Sequence, residues 1–412
     1  MFVSIFGWTN PTNGHEYAIV GLEDGTAFVE VTNPEVPFYL GFLEGHDGKN
    51  STSRAINTFG NYAYIVANAE DHGMQIFDLT QLSTLSNNDG HFIFNETSYF
   101  GIHFDGTKVI DNDLSIFPST QDSNEGFAKN IVINEESSFA YLIGSNNCNG
   151  GLYMLNLTSP LDPVAVGCFS EFESIRDAQC VIYDGVDTDY LNSEICFITY
   201  STGLGIVDVT EKDNPTVISI LEESDFMNIN QGRLTKDKRF FIVGDGDDGD
   251  IHIHICDVSN LDFIAIRDTV DSNVKAMHGN VFVKGDFLFQ AAYRGGLRIL
   301  NLSNISNSQL PEIGSFDTTP SLSGDGYEGV NNVYPFFASG TIIISSTNEG
   351  IFIVRSTRIS EMPSISPSPT SYIPSYAPSL SPVNLSLEVP PPIDTLVCFN
   401  LIIGRALKLF AK

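Results

Sequence analysis

Gly203-Leu-Gly-Ile-Val-Asp-Val209 decides the reading of this chain, because its pattern occurs seven times along the sequence. A small residue opens the run, apolar residues follow, and an Asp or Asn usually closes it before a turn. The other copies are Gly25-Thr-Ala-Phe-Val-Glu-Val31, Gly73-Met-Gln-Ile-Phe-Asp-Leu79, Gly151-Leu-Tyr-Met-Leu-Asn-Leu157, Ile251-His-Ile-His-Ile-Cys-Asp-Val258, Gly296-Leu-Arg-Ile-Leu-Asn-Leu302 and Gly350-Ile-Phe-Ile-Val-Arg355. Most intervals are about 45 to 54 residues, the length that four short antiparallel strands and their turns need in a propeller blade. The pattern predicts an all-β β-propeller of about seven four-stranded blades over residues 1–358. Two stacked β-sandwiches would need no motif at a regular interval.

Strands are visible inside each unit. Ala178 to Tyr183, Glu194 to Tyr200 and Leu204 to Val209 read as successive strands, and Asn214-Pro215 opens a turn into Thr216 to Leu221. The long interval between Gly73 and Gly151 carries an Asn-, Asp-, Ser- and Gly-rich stretch at about 80–126, predicted as a surface insertion of the kind that often bears function. Residues 359–395 are rich in Ser and Pro and predict an extended, disordered stalk or linker. Residues 396–412 form a short apolar tail, too short and too charged for a spanning helix, with surface attachment as one candidate role.

A balance of 20 Lys plus Arg against 51 Asp plus Glu gives a formal charge of −31, which repels nucleic acid and anionic lipid. Six sequons, at Asn50, Asn95, Asn156, Asn301, Asn304 and Asn384, are glycan acceptors if the chain is secreted. Of six cysteines, Cys148, Cys168, Cys180 and Cys196 cluster beside strand-like runs. Neighbouring strands would bring Cys148 to Cys168 and Cys180 to Cys196, and without zinc spacing the choice lies between disulfides and buried thiols. These features point to an extracellular or cell-surface location. Against them, Met1-Phe-Val-Ser-Ile-Phe-Gly-Trp8 shows no secretion signal, so the chain is either cytosolic or has lost its start.

Gly7-Trp8-Thr-Asn-Pro, Ala63-Tyr-Ile-Val, His72-Gly-Met-Gln-Ile-Phe-Asp-Leu-Thr-Gln-Leu, Asn130-Ile-Val-Ile-Asn-Glu, Asp177-Ala-Gln-Cys-Val-Ile-Tyr and Ala292-Tyr-Arg-Gly-Gly-Leu-Arg-Ile-Leu together resemble the choice-of-anchor B family, which carries LVIVD repeats. The resemblance runs from about Phe2 to Arg355 and implies a secreted or surface-held propeller. It also implies a histidine before the innermost strand of several blades. Here Lys129, Arg176 and Asn230 stand at those positions, and only His278 keeps the imidazole.

Arg54, Lys129, Arg176, Asn230, His278 and Asn331 occupy equivalent places in successive blades, and such positions converge on the central channel of a propeller. As a ring they would favour a carboxylate or a sulfated sugar, with arginine supplying forked hydrogen bonds. The alternative is that they pair with nearby acids such as Asp177 or cap strand ends. Asp245, Asp247, Asp248 and Asp250 are a weak calcium candidate, since Asp-Gly steps equally make tight turns. His252 and His254 share one strand face, and His72 adjoins Asp71, but neither pair makes a zinc site or a triad.

The expected function is an extracellular recognition or adhesion module that binds a carbohydrate, protein or small anionic ligand at the channel mouth, without a cofactor. The alternatives are an extracellular hydrolase or lyase and a non-catalytic cell-wall or matrix protein.

Overall fold

Period-two patterning lets each short strand bury one face against the blade before it and the other against the blade after it. That arrangement closes a ring. The computed structural model is a seven-bladed β-propeller. It describes residues 1–85, 90–102, 126–356 and 396–401, apart from Glu173, Ser201 and residues 224–225, 227–228 and 247–249.

From the channel outward, blade one comprises Phe2–Thr9, Glu16–Leu22, Gly25–Glu30 and Phe38–Glu44, and blade two Arg54–Phe59, Tyr62–Ala67, Met74–Asp78 and Ser98–Phe100. Blade three is Asn130–Asn134, Phe139–Ile143, Leu152–Asn156 and Val164–Phe169, and blade four Ile175–Ile182, Glu194–Tyr200, Gly203–Asp208 and Thr216–Glu222. Blade five is Gln231–Leu234, Phe240–Asp245, Asp250–Asp257 and Ala265–Lys275, and blade six Val281–Lys284, Phe287–Ala291, Leu297–Asn301 and Glu312–Phe316. Blade seven is Val330–Tyr334, Thr341–Ser346, Gly350–Ser356 and Leu396–Leu401.

The repeated motif is the third strand of each blade. Its closing Asp or Asn folds back, so that the side-chain oxygen accepts the N–H two residues on. This happens at Asp78, Asn156, Asp208, Asp257 and Asn301, at 2.8 to 3.0 Å. A bulge recurs where the third strand meets the outer one, at Phe28/Val29, Met154/Leu155, Ile206/Val207, Ile255/Cys256 and Ile299/Leu300. One extra outer-strand residue there increases the local twist.

The hydrophobic core is not central. It consists of slabs between adjacent blades, such as Trp8, Phe28, Ile65 and Phe77 between blades one and two, or Phe197, Leu204, Phe241 and Val243 between blades four and five. The ring closes in the same way, with Ile5 and Val29 packed on Ile343 and Ile353, and the Phe2 N–H donating to Thr347 O at 3.3 Å.

Two segments reach beyond their own position in the repeat. Phe92–Phe94, from the connection before the last strand of blade two, lies parallel on the outer edge of blade one, pairing Gly41 with Phe92, Phe42 with Ile93 and Leu43 with Phe94. Leu396–Leu401, from the apolar tail, supplies the outer strand of blade seven. The remainder of that tail, the Ser/Pro-rich stretch 359–395 and most of the insertion, 103–125, lie outside the described residues. Among the described residues no helix is long and apolar enough to cross a membrane.

Cys148 bonds Cys168 within blade three, and Cys180 bonds Cys196 across the paired inner strands of blade four, with Cα separations of 5.5 and 4.0 Å. Both are the pairings that strand neighbourhood predicted. They suit a chain that folds in an oxidising environment. Cys256 is a buried thiol, pushed up to about 12 by burial.

Candidate functional site

The innermost strands are laced together by carboxamides. Asn57 Nδ2 donates to Ile131 O at 3.4 Å, the Leu234 N–H to Gln179 Oε1 at 2.8 Å, the Val281 N–H to Gln231 Oε1 at 2.8 Å, and Asn331 Nδ2 to Phe2 O and Val3 O at 3.2 and 3.0 Å. Each bond spans neighbouring blades, so the channel wall is a polar belt fixed in register.

A charged pair joins that belt between blades three and five. Asp177, on blade four, accepts from Asn130 Nδ2 of blade three at 2.9 Å through Oδ1, and from Arg233 Nη1 of blade five through Oδ2. Burial raises the Asp177 carboxyl, and the Arg233 guanidinium opposes that shift. Arg233 also donates to Gly232 O at 2.6 Å, and its guanidinium carbon lies 5.4 Å over the ring of Phe282 on blade six. From Phe282 an aromatic arc continues: Phe336 at 5.9 Å, Tyr334 5.3 Å beyond it, and Phe6 of blade one 5.0 Å from Tyr334. Phe336 is 41 % exposed and Phe6, Phe282 and Tyr334 are half-buried. The wall thus offers donors and acceptors beside ring faces.

A family model for the LVIVD repeat matches residues 277–318, which span blade six. No curated protein matches the chain. Among solved structures, hydrazine synthase of Kuenenia stuttgartiensis is similar over 86 % of this chain and 96 % of its own, at 11 % identity and a TM-score of 0.55. A protein from Lactobacillus plantarum is similar over 86 % and 92 %, at 11 % identity and a TM-score of 0.54. At such identities the likeness concerns the fold alone.

The structure places the six ring candidates differently from one another. Arg54 is only 2 % exposed and donates to Leu22 O at 2.9 Å and, through Nη1, to His72 Nε2 at 2.8 Å. Lys129 is exposed, its stem lying against Gly144, and Arg176 is half-buried. Asn230 donates to Asn280 Oδ1 at 3.3 Å, and Asn331 is engaged with blade one as described. His278 is buried, and among the described residues neither ring nitrogen has a hydrogen-bond partner. Arg233 and the aromatic arc were not among the candidates. The signal for Arg233 is a lone arginine in the short strand Gln231-Gly-Arg-Leu234.

Asp245 is fully buried, with Oδ2 3.2 Å from His254 Nε2, while Asp247 and Asp248 and the side chain of Asp250 lie outside the described residues. Among the described residues no group of three His, Cys, Asp or Glu side chains is placed to hold a metal ion. His252 faces Asp271 at 2.7 Å and His254 faces Thr269 at 2.9 Å. Of the sequons, Asn50, Asn95 and Asn304 are exposed. Asn156 and Asn301 are the turn residues that close third strands, which is also the role of Asp78, Asp208 and Asp257. Asn384 lies outside the described residues.

Two buried histidines make stability depend on pH. Burial and then the Arg54 charge hold His72 down at about 4; burial holds His278 at about 4, opposed by Asp245 and assisted by His254. Both are neutral when folded, whereas an unfolded histidine takes up a proton below about 6.5. Their contribution is therefore complete above pH 6.5 and is lost as pH falls towards 4, with a slope of up to about 1.4 kcal/mol per pH unit for each. Urea denaturation at pH 7, 5.5 and 4.5 should show this decline. His278→Leu should leave stability at pH 7 nearly unchanged, because an unpartnered polar ring is replaced by an apolar one, and should flatten the slope. An unchanged slope in that variant would remove His278 from the account.

Proposed function

We propose that the chain is a non-catalytic, extracellular recognition module that binds a carbohydrate in its channel. The observation that carries this reading is the Asn130–Asp177–Arg233 cluster set beside the Phe282–Phe336–Tyr334–Phe6 arc. A sugar offers hydroxyls in fixed directions and an apolar ring face, so it needs charged donors and acceptors next to aromatic faces. Both Asp177 oxygens already hold donors, which suits a positioning acceptor better than a general acid or base. The resemblance to the choice-of-anchor B family, the two disulfides and the exposed sequons support an extracellular setting. The Ser/Pro-rich stretch would serve as the stalk.

The test is calorimetric titration with neutral and uronate-containing oligosaccharides. Arg233→Gln and Phe282→Ala should each weaken binding about tenfold or more, near 1.4 kcal/mol, with the melting temperature checked in parallel. Absence of binding across the panel, or affinity that neither variant reduces, would sink this reading.

A further inference from the structure

A groove of about 540 Å³ lies on the outer rim, not in the channel, between the outer strand of blade four and the start of the outer strand of blade five. Ile220, Leu221, Phe263, Ile264 and Ile266 supply its apolar surface, with Ile220 50 % and Phe263 69 % exposed. Glu222, Glu223 and Asp262 stand on its walls. Tyr190 donates to Asp262 at 2.6 Å and Tyr200 to Glu222 at 3.1 Å, which leaves the other oxygen of each carboxylate without that tyrosine.

The molecule fills the equivalent groove elsewhere with its own chain. In blade one, Phe28 pairs with Gly41 before the bulge and Gly25 with Glu44; in blade four, Ile206 pairs with Ser219 before the bulge and Gly203 with Glu222. Ser219, Ile220 and Leu221 are therefore the counterparts of Gly41, Phe42 and Leu43, the three residues on which Phe92–Phe94 is laid in parallel. Phe94 of that added strand enters the slab between blades one and two, meeting Phe28 at 5.5 Å and Phe77 at 5.2 Å. At blade four the same edge carries no added strand among the described residues, and Leu221 of the slab between blades four and five borders the groove beside exposed Phe263.

We propose that the free outer edge of blade four accepts an extended peptide of a partner protein by parallel strand addition, and that this peptide carries two alternate apolar residues followed by basic ones. The register fixes the order. With apolar residues opposite Ser219 and Leu221, as Phe92 and Phe94 stand opposite Gly41 and Leu43, the next two residues face Glu222 and Glu223, where lysine or arginine is complementary. Backbone hydrogen bonds supply the binding, the groove selects the alternate side chains, and the acids select the charge. This surface is separate from the channel, and its test does not depend on a carbohydrate.

The experiment uses the full chain and a fluorescein-labelled peptide, STFIFKKTS, followed by fluorescence anisotropy at low and moderate salt. Saturable binding is expected, weakened at least tenfold by Phe263→Ser with Ile220→Lys, weakened several-fold in the peptide carrying two glutamates for the lysines, and abolished when proline replaces its central isoleucine. The substituted side chains are exposed, so circular dichroism should show an intact fold. No binding, or binding indifferent to the groove variants and to peptide charge, overturns the proposal. Self-association of the chain that Ile220→Lys abolishes, seen by sedimentation, overturns it in favour of a second copy as the occupant.

Discussion

Gly244→Ala is expected to destabilise the protein by about 3 kcal/mol, read as a lower urea midpoint at pH 7. Gly244 lies in the second strand of blade five, paired with Gln231 on one side and Ile253 on the other. The imidazole of His278, from the start of blade six, rests on its bare backbone. A Cβ at position 244 would stand 1.6 Å from Nε2, 1.9 Å from Cε1 and 2.5 Å from Cδ2 of that ring. The glycine's φ lies outside the left-handed region, so the cost arises from collision and not from lost backbone freedom. His278 is 7 % exposed, which leaves its ring little room to retreat. Adding His278→Ala removes the ring, and the double variant should recover about 2 kcal/mol relative to the sum of the single changes. Strictly additive effects would mean that Gly244 is required for some reason other than His278.

The propeller was legible because its evidence is repeated. Seven copies of one strand motif mark one strand in each blade, and the turn after that strand explains why Asp or Asn recurs at its end. The disulfides were legible because Cys180 and Cys196 sit on strands whose adjacency follows from the hairpin order. What the repeat could not show is where a side chain turns after leaving an equivalent backbone position. The pattern assigns Arg54, Asn331 and His278 one place in the repeat, yet Arg54 pairs with Ala67 and runs back into the gap between blades one and two, Asn331 sits in a bulge between Val330 and Asn332 and clasps blade one, and His278 precedes its strand and lies over a glycine. Such choices depend on the neighbouring blade, which periodicity within one blade does not encode. Asp177 and Arg233 are 56 residues apart, and only the closing of blade five onto blade four makes them partners. The strand additions were hidden for a related reason. Phe92-Ile-Phe94 and Leu396 to Leu401 carry no copy of the motif, because each completes an edge that other strands have already set.

Arg54→Met should cost still more, about 4 kcal/mol, because the side chain bolts blade one to blade two from inside. Its Nε donates to Leu22 O at 2.9 Å, Nη1 to His72 Nε2 at 2.8 Å, and Nη2 to Lys49 O at 3.3 Å and Glu23 O at 3.4 Å. Burial lowers the guanidinium to about 10, with Asp24 opposing, so it remains charged at neutral pH. That charge faces carbonyl oxygens and an imidazole that the same burial keeps neutral, with His72 Nδ1 left to donate to Gly73 O at 3.2 Å. Methionine reproduces the apolar stem but leaves these acceptors buried without a donor, and each such orphan costs about 1 to 3 kcal/mol. Arg54→Lys should fall between the two, since one ammonium cannot satisfy a fork of acceptors spread over Leu22, Lys49 and His72. Urea denaturation of the three proteins at pH 7.5 orders them as wild type, lysine, methionine. A methionine variant within about 1 kcal/mol of wild type that instead loses ligand affinity would place Arg54 at the ligand, and the blade-to-blade bolt would have to be sought in the apolar slab around Phe28 and Phe77.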